Sequence, residues 1–401
     1  MSLVPITAGF LPLLDSVLLV VAREKGFASA EGLDLRLVRE TSWANIRDRS
    51  ALGHFDVAHM LAPMPIAASL GLTPLATQMI APMTFGLGGN GITVSAGLWQ
   101  AMQAAGAPGD LDPAPAGAAL KNVVGNATRR LRFGVVHQTS SHNYELRYWL
   151  AASGIRPDED VEIIVLPPPL LPDALGSGGI DGYCVGEPWN SVGVATSGAR
   201  LVTVKAAIWR SSPDKVLGMR ADWAQANAGS VAALLKALHA AALWCSDPAN
   251  HAEIASLLCQ PHYLGLSPEL ILPALTGRFD IGEGTEQIVP DFYIPQASAA
   301  TFPWKSHALW YYTQMVRWGQ VEHTSVNAAT AAACFRPDIY SAALANLALP
   351  QLDYKVEGGL TEPTSVPATS GTLTLAPDGF FDGKPFDPDA IDTYIATQQS
   401  R

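Results

Sequence analysis

Short apolar strands alternate with helices along the first half of this chain, in two separate runs. The first run predicts a helix that ends at Lys25 and is capped by Asp15 or Ser16, a helix at Trp43–Gly53 capped by Ser42, and a helix at Pro65–Leu70. These helices alternate with strands at Leu3–Ala8, Leu33–Leu37, Asp56–Met60 and Pro74–Met79. The second run predicts helices at His142–Ala152, Leu170–Leu175 and Pro188–Thr196, between strands at Leu131–Val136, Val161–Leu166, Ile180–Cys184 and Leu201–Val204. A serial strand–helix–strand order is typical of a parallel sheet with helices on both faces. The sequence therefore predicts an α/β protein with two lobes.

The segments outside these runs differ in composition. Residues 100–130 are rich in Gly, Ala and Pro, and we expect a loop or insertion there, after a helix-like segment at Leu98–Ala105. Beyond Pro213 the pattern predicts a last strand at Val216–Met219, helices at Ser230–Cys245, Asn250–Leu258, Phe302–Trp318 and Val326–Ala333, a coil at Thr361–Phe386, and a closing helix at Pro388–Gln398 capped by Asp387. We expect lobe I to comprise residues 1–94 and 209–401, with a helical C-terminal extension, and lobe II residues 95–208. Because ligands of open α/β sheets bind beyond the carboxyl ends of the strands, the expected site is the cleft between the lobes.

Charge and composition exclude several classes of protein. The chain has 25 basic and 36 acidic residues and no long Lys/Arg run, so direct binding of nucleic acid is not expected. Its four cysteines show no CxxC or Cys/His spacing, which argues against a disulfide scaffold or a zinc module. The apolar stretch Phe10–Ala22 contains Pro12 and Asp15 and is too short to span a bilayer, so no membrane insertion is expected. The first basic residue, Arg23, follows this stretch, unlike the order of a secretory signal. We therefore expect a cytoplasmic protein, or a periplasmic one if a leader has been removed.

One segment resembles a catalytic motif. The string Gly182-Tyr183-Cys184-Val185-Gly186 has the spacing of a nucleophile elbow, with Cys in place of Ser. The Pro188-Trp189 pair that follows fits an ordinary helix start, and the alternative interpretation of Cys184 is a small buried residue. The glycine-rich segment at 86–91 leads into a strand, whereas a phosphate-binding loop must open a helix. An enzyme that uses Cys184 thus stays an alternative to a binding protein.

Three predicted helix starts follow strands and carry polar or aromatic side chains. They are Thr41–Asn45, Thr139–Asn143 and Gly186–Asn190. The free N–H groups of a helix N-terminus favour anions. Their recurrence in both lobes indicates binding of a small anion.

Longer strings resemble one known family. They are Phe10-Leu11-Pro12-Leu13, Ala22-Arg23-Glu24-Lys25-Gly26-Phe27, Ser42-Trp43-Ala44-Asn45-Ile46-Arg47-Asp48, Ala58-His59-Met60-Leu61-Ala62-Pro63-Met64-Pro65, Arg147-Tyr148-Trp149-Leu150-Ala151-Ala152, Cys184-Val185-Gly186-Glu187-Pro188-Trp189-Asn190 and Ile208-Trp209…Pro213-Asp214-Lys215. Together they resemble the nitrate- and bicarbonate-binding proteins of cyanobacterial ABC uptake systems, over roughly residues 4 to 350. The resemblance implies the type II periplasmic-binding-protein fold. The likeness is greatest to the cytoplasmic nitrate/nitrite sensors of nitrate-assimilation clusters, which hold an RNA-binding antiterminator protein.

The same resemblance implies a ligand site. Its residues here are Trp43, Asn90, His142, Gly186 and Lys215, and Asn90 stands where the family has a longer glutamine. Nitrate is a planar monoanion that needs hydrogen-bond donors and a positive charge. A lysine can supply the charge, histidine and asparagine can donate, and a glycine amide can be approached closely. We expect no catalytic residue, no cofactor and no metal in this site. Bicarbonate receptors of the family are, however, associated with a calcium ion, and Glu187 could serve as a ligand for one.

Three functions follow from these observations. The first is a cytoplasmic sensor that binds nitrate or nitrite and controls an antiterminator. The second is a binding protein that delivers nitrate or bicarbonate to an ABC permease. The third is the enzyme that uses Cys184. The residues leave the choice among nitrate, nitrite and bicarbonate open, because these anions differ by only a few polar atoms.

Overall fold

The structure is a computed structural model that describes residues 2–399. Two five-stranded sheets form its framework, and both contain parallel strand pairs. The strands are β1 (Val4–Phe10), β2 (Leu33–Arg39), β3 (Val57–Leu61), β4 (Met79–Thr84), β5 (Leu87–Gly88), β6 (Asn90–Val94), β7 (Leu131–Val135), β8 (Val161–Val165), β9 (Gly182–Gly186), β10 (Arg200–Val204), β11 (Lys215–Arg220), β12 (Arg278–Asp280), β13 (Glu286–Ile288), β14 (Tyr293–Ile294), β15 (Thr364–Pro367) and β16 (Thr372–Leu375). The first sheet has the order β2-β1-β3-β11-β4 and the second β10-β6-β9-β7-β8. The predicted two-lobed α/β architecture is confirmed.

Helices cover these sheets and form the C-terminal part of the chain. They are α1 (Val17–Glu24), α2 (Phe27–Ala30), α3 (Trp43–Ala51), α4 (Pro63–Ser69), α5 (Ala96–Ala104), α6 (Pro113–Asn126), α7 (Ser141–Ala152), α8 (Leu171–Gly176), α9 (Trp189–Ser197), α10 (Lys205–Ile208), α11 (Ala221–Ala226), α12 (Ala228–Cys245), α13 (His251–Leu258), α14 (Pro268–Thr276), α15 (Lys305–Arg317), α16 (Ser325–Cys334), α17 (Pro337–Ala343) and α18 (Ile391–Gln399). Two predicted caps are present, because Ser42 accepts a hydrogen bond from the Asn45 amide and Asp387 accepts one from the Asp389 amide. The cap predicted at Asp15 or Ser16 is absent, because Asp15 lies within a 3-10 turn and the Ser16 hydroxyl donates to the Leu13 carbonyl instead.

The sheets are not wholly parallel, which corrects the sequence prediction. In the first sheet β11 runs antiparallel to β3 and β4, and in the second β6 runs antiparallel to β9 and β10. These two strands begin where the chain passes from one sheet to the other. A chain that leaves the carboxyl edge of one sheet enters the next from the cleft side, so its first strand runs away from the cleft. The start of each of these strands therefore lies at the cleft edge.

The crossover also bears on the expected lobe boundaries. The boundary after residue 94 would place β6 in lobe I, yet β6 is hydrogen-bonded between β9 and β10 of the second sheet. We therefore propose that lobe II begins at Asn90, which leaves the second boundary near residue 208 as predicted.

The segment 100–130 is mostly helical, which corrects the prediction of a loop. Helix α6 begins after Asp112, whose side chain accepts a hydrogen bond from the Ala114 amide. Gly117 lies within α6, and a Cβ atom there would be 1.9 Å from Ser153 Oγ. The glycine that weakened the helical pattern thus permits close packing of α6 against the end of α7.

Three other predictions differ from the structure. The strand expected at Pro74–Met79 begins only at Met79, because Pro74 and its neighbours form an irregular connection. The predicted coil Thr361–Phe386 contains the antiparallel hairpin of β15 and β16. The strand at 216–219 is also not the last one, since five short strands follow it within residues 2–399.

Helix α12 is the helix within residues 2–399 that is long and apolar enough to cross a membrane by length and composition. Half of this helix is buried in the protein, and it packs against α1, α2 and α17. Its buried face belongs to the hydrophobic core around the first sheet, which is the environment of an ordinary core helix.

Candidate functional site

The residues predicted for the ligand site lie at the ends of elements that meet between the sheets. Trp43 begins α3, Asn90 begins β6, His142 lies in the first turn of α7, Gly186 ends β9 and Lys215 begins β11. All five are buried. Three come from the second sheet and its helices, and two from the first.

Gly186 lies next to the other two site residues of the second lobe, Asn90 and His142. It pairs with Asn90 across the β6–β9 ladder. A Cβ atom at this glycine would lie 3.0 Å from Leu13 Cδ2, 3.2 Å from Asn90 Oδ1 and 3.6 Å from His142 Nε2. The absence of a side chain at Gly186 therefore lets two polar groups and one apolar group approach the backbone closely.

His142 is neutral in this environment. Burial lowers its pKa to about 3, and the charge of Lys215 acts in the same direction. A neutral imidazole has one N–H donor and one acceptor nitrogen. Neither ring nitrogen has a hydrogen-bond partner in the part of the chain that the structure describes, and the same holds for the indole Nε1 of Trp43. A buried polar atom without a partner is costly, so these atoms mark a place for a polar ligand.

Lys215 lies between two buried carboxylates that the sequence interpretation did not include. Its Nζ donates to Asp15 Oδ2 at 2.9 Å and also to Asp214 Oδ2, and it is 5.7 Å from the centre of the Trp43 ring. Burial acts to lower the pKa of Lys215, but the charges of Asp15 and Asp214 hold it above its usual value. The charge of Lys215 is thus already compensated by two carboxylates, whereas the sequence suggested a free counter-charge for the anion.

Asp214 connects this cation to the second lobe. Its Oδ1 accepts a hydrogen bond from the Ser141 hydroxyl at the start of α7. Burial acts to raise the pKa of Asp214, but the charges of Lys215 and Lys205 hold it well below its usual range. Asp214 stands directly before Lys215 in the sequence, and that adjacency was the available signal.

A second buried ion pair lies behind Asn90. Glu145 Oε1 accepts from Lys205 Nζ, and Glu145 Oε2 accepts from Asn90 Nδ2 at 3.1 Å. Burial raises the pKa of Glu145, while Lys205 opposes the shift. Glu145 follows His142 by three residues on α7 and therefore shares its face. That spacing could have indicated that Glu145 lies near the site, whereas no pattern in the sequence indicated this for Lys205.

Direct hydrogen bonds join the two lobes beside the site. The Leu14 amide donates to the Glu187 carbonyl at 2.9 Å, and Trp189 Nε1 donates to the Pro12 carbonyl at 3.1 Å. With the bond between Ser141 and Asp214, these contacts hold the loop after β1 and the start of β11 against the second lobe. The structure therefore has the two lobes closed against each other.

Cys184 does not occupy a nucleophile elbow. It lies in the middle of β9, opposite Ile92 of β6, rather than at a turn between strand and helix. Its side chain is buried, and burial raises the pKa of the thiol well above its usual value. A thiol of this kind is a poor nucleophile, because the thiolate is the reactive form.

We expect Cys184 to be inert towards a thiol reagent in the folded protein. Labelling of native protein by a disulfide reagent, followed by peptide mass spectrometry, should modify the partly exposed Cys259 well before the buried Cys184. In denaturant both cysteines should react at similar rates. Fast modification of Cys184 in the native protein would contradict this prediction and restore the enzyme alternative.

Comparison with known proteins gives consistent matches. Residues 2–259 match the NMT1-like family. The nitrate import ATP-binding protein NrtC of Synechocystis sp. is 37% identical over 350 residues, which are 86% of this chain and 50% of NrtC. The bicarbonate transport ATP-binding protein CmpC of Synechococcus elongatus is 37% identical over 319 residues, or 78% of this chain and 45% of CmpC. This chain thus spans about half the length of those two proteins.

Two further matches extend over nearly the whole chain. The nitrate/nitrite binding protein NrtA of Synechococcus elongatus is 33% identical over 402 residues, which cover 97% of this chain and 85% of NrtA. The crystal structure of the periplasmic nitrate-binding protein NrtA from Synechocystis PCC 6803 superposes with a TM-score of 0.86 at 26% identity, over 99% of this chain and 98% of that one. The expected periplasmic-binding-protein fold is thereby confirmed.

Proposed function

Because this chain belongs to the NMT1-like family, close to the nitrate- and bicarbonate-binding proteins of ABC uptake systems, we propose that it is a solute-binding protein for a small inorganic oxyanion. The ligand is held between the lobes, by Trp43, Asn90, His142, Gly186 and Lys215. The partner is an ABC permease, to which the closed protein delivers the anion.

The observation that carries this proposal is the pair of partnerless polar atoms beside Gly186. Asn90 Oδ1 and His142 Nε2 lie 3.2 and 3.6 Å from the position that a Gly186 Cβ would take, and neither atom has a partner within the described residues. Because buried polar atoms are normally hydrogen-bonded, these two atoms favour a small polar ligand at this position.

Both buried lysines of the site are already paired with carboxylates. Lys215 contacts Asp15 and Asp214, and Lys205 contacts Glu145. Because these two cations are compensated by three carboxylates, we assign the directional contacts to the anion to the neutral donors of His142 and Trp43. The overall net charge of −11 acts only weakly at the site, because charges more than about 8 Å away are screened at physiological salt.

Uptake is better supported than the sensing role predicted from the sequence. The relatives carry names of import systems and of binding proteins, and the NrtA structure is of a periplasmic protein. A periplasmic location is therefore the one that the relatives favour over a cytoplasmic one. No relative described above is a partner of an antiterminator, so that predicted partner has no support. The same relatives are binding and import proteins, which favours binding over catalysis by Cys184.

The direct test is calorimetric titration of the purified protein with nitrate, nitrite and bicarbonate, each with and without calcium. At least one of these anions should bind at one site per chain, and chloride should compete poorly because it lacks the planar oxygens. Absence of saturable binding by all three anions would refute the proposed function. Binding that required calcium would show that a metal belongs to the site.

We expect Gly186→Ala to weaken binding of whichever anion binds. The added methyl group would crowd Asn90 and His142, and an overpacked carbon typically costs about 1–3 kcal/mol, which corresponds to roughly five- to a hundredfold in affinity. The matched control is Gly97→Ala in α5, where a Cβ atom meets nothing within 4 Å. Equal affinities of the two variants would place the anion elsewhere.

A further inference from the structure

The amide of Asn90 has a defined direction in this site. Its Nδ2 donates to Glu145 at 3.1 Å, away from Gly186, and its Oδ1 lies 3.2 Å from the position of a Gly186 Cβ. Asn90 is fully buried, and no described residue donates to this oxygen. Asn90 therefore presents a hydrogen-bond acceptor to the ligand space, not a donor.

Glu145 and Lys205 enforce that direction. Lys205 donates to one carboxylate oxygen of Glu145 and Asn90 donates to the other, so both oxygens accept, as they do in an ionised carboxylate. Turning the amide over would place Asn90 Oδ1 against a carboxylate oxygen, and two acceptors repel. The orientation of Asn90 is thus a consequence of the ion pair behind it.

An unpaired acceptor discriminates between oxyanions. Nitrate, nitrite and formate carry only acceptor oxygens, so an acceptor in the site repels them. Bicarbonate has the same planar shape as nitrate but carries one O–H group, which can donate to Asn90 Oδ1. A site built to pair with a ligand O–H rejects analogues that lack it, because its own polar group is then left unpaired.

We propose that Asn90, oriented by the Glu145–Lys205 pair, makes this site select an oxyanion that carries a hydroxyl group, with bicarbonate as the type, over nitrate. This inference rests on the proposed function and deepens it. Glu145 and Lys205 act through Asn90 and are positioning residues, whereas Asn90 contacts the ligand.

The test compares wild type with Glu145→Gln by calorimetry at one mildly alkaline pH, with bicarbonate, nitrate and formate as ligands. Lys205 can only donate, so it holds the carbonyl oxygen of the new glutamine and directs the glutamine NH₂ towards Asn90. Asn90 must then turn its Oδ1 to residue 145 and its Nδ2 to the ligand. The ratio of bicarbonate to nitrate affinity should fall roughly ten- to a hundredfold, the range of one hydrogen bond to a charged group.

Two comparisons keep the result interpretable. Glu357→Gln is the matched control, because Glu357 is another buried glutamate that accepts from a lysine, the partly buried Lys355, in a separate cluster. Its affinity ratio should equal that of wild type. Asn90→Leu removes both the donor and the acceptor of the amide and keeps Glu145. It should therefore abolish the preference for bicarbonate over formate without any change at position 145.

The outcomes separate the two proposals. Wild-type preference for bicarbonate over both nitrate and formate, lost in Glu145→Gln and Asn90→Leu, supports the inference. Tighter binding of nitrate than of bicarbonate by wild type overturns it but leaves the proposed function intact. An equal change of the ratio in Glu357→Gln also overturns it. Failure of every anion to bind to wild type refutes the proposed function itself.

Discussion

Replacing Lys215 with methionine is expected to lower the free energy of unfolding by about 3–5 kcal/mol, because it leaves buried carboxylates without their cation. Asp15 and Asp214 both accept hydrogen bonds from Lys215 Nζ, and the side chains of all three residues are nearly inaccessible to solvent. Methionine conserves much of the length and apolar volume of the lysine side chain. The loss is therefore attributable to the charge.

Chemical denaturation followed by tryptophan fluorescence measures this change. The control is Lys305→Met, which breaks a partly exposed pair with Asp353 at 2.7 Å and should cost about 1 kcal/mol or less. The pKa of Lys215 is raised on folding, so its contribution is complete below its unfolded value of 10.5. The pKa of Asp214 is lowered, so its contribution is complete above 3.8. The difference between Lys215→Met and wild type should therefore be constant across neutral pH, and a loss below 1 kcal/mol would contradict it.

Replacing Glu187 with glutamine is expected to remove a pH dependence of stability worth about 3 kcal/mol. Glu187 is buried beside Gly186, and burial raises its pKa from 4.5 to about 7. Its Oε2 accepts from the Ser191 amide at 3.2 Å, while its Oε1 has no partner within residues 2–399. Because the folded pKa is the higher one, the stabilising effect of the protonated side chain is complete below pH 4.5 and is lost as the pH rises through 7.

Unfolding free energies of wild type and Glu187→Gln, measured in urea from pH 4.5 to 8, test this prediction. Wild type should lose stability relative to the variant as the pH rises, since only wild type must bury a carboxylate that ionises. Glu322→Gln, at an exposed position, controls for the loss of one surface charge. Parallel pH curves for wild type and Glu187→Gln would show that Glu187 is compensated by a group other than those that contact it in this structure.

The strand and helix pattern was readable because it is a local property. Helix α3 begins where Ser42 predicts it, and the leucines of β2 alternate as a strand that is covered on one face requires. The strings around Trp43, Gly186 and Lys215 indicated the family, and the family match confirmed it. Local patterns failed where a neighbouring element decided the outcome. Gly117 weakens the helical pattern of α6, yet α6 forms because α7 packs against that glycine.

The family resemblance implied a site of Trp43, Asn90, His142, Gly186 and Lys215, and folding brings these residues to one region between the sheets. It did not reveal that Lys215 is already paired with Asp15, 200 positions away, or that Glu145 orients Asn90 from a distance of 55 positions. The antiparallel direction of β6 and β11 was equally hidden, because strand direction depends on where the chain crosses between lobes. Secondary structure follows from neighbours in sequence, whereas the charge balance and hydrogen-bond direction of a buried site follow from residues that meet only after folding. The residue types of the site could therefore be read from the sequence. Whether each side chain offers the ligand a donor, an acceptor or a free charge depended on the packing of the lobes.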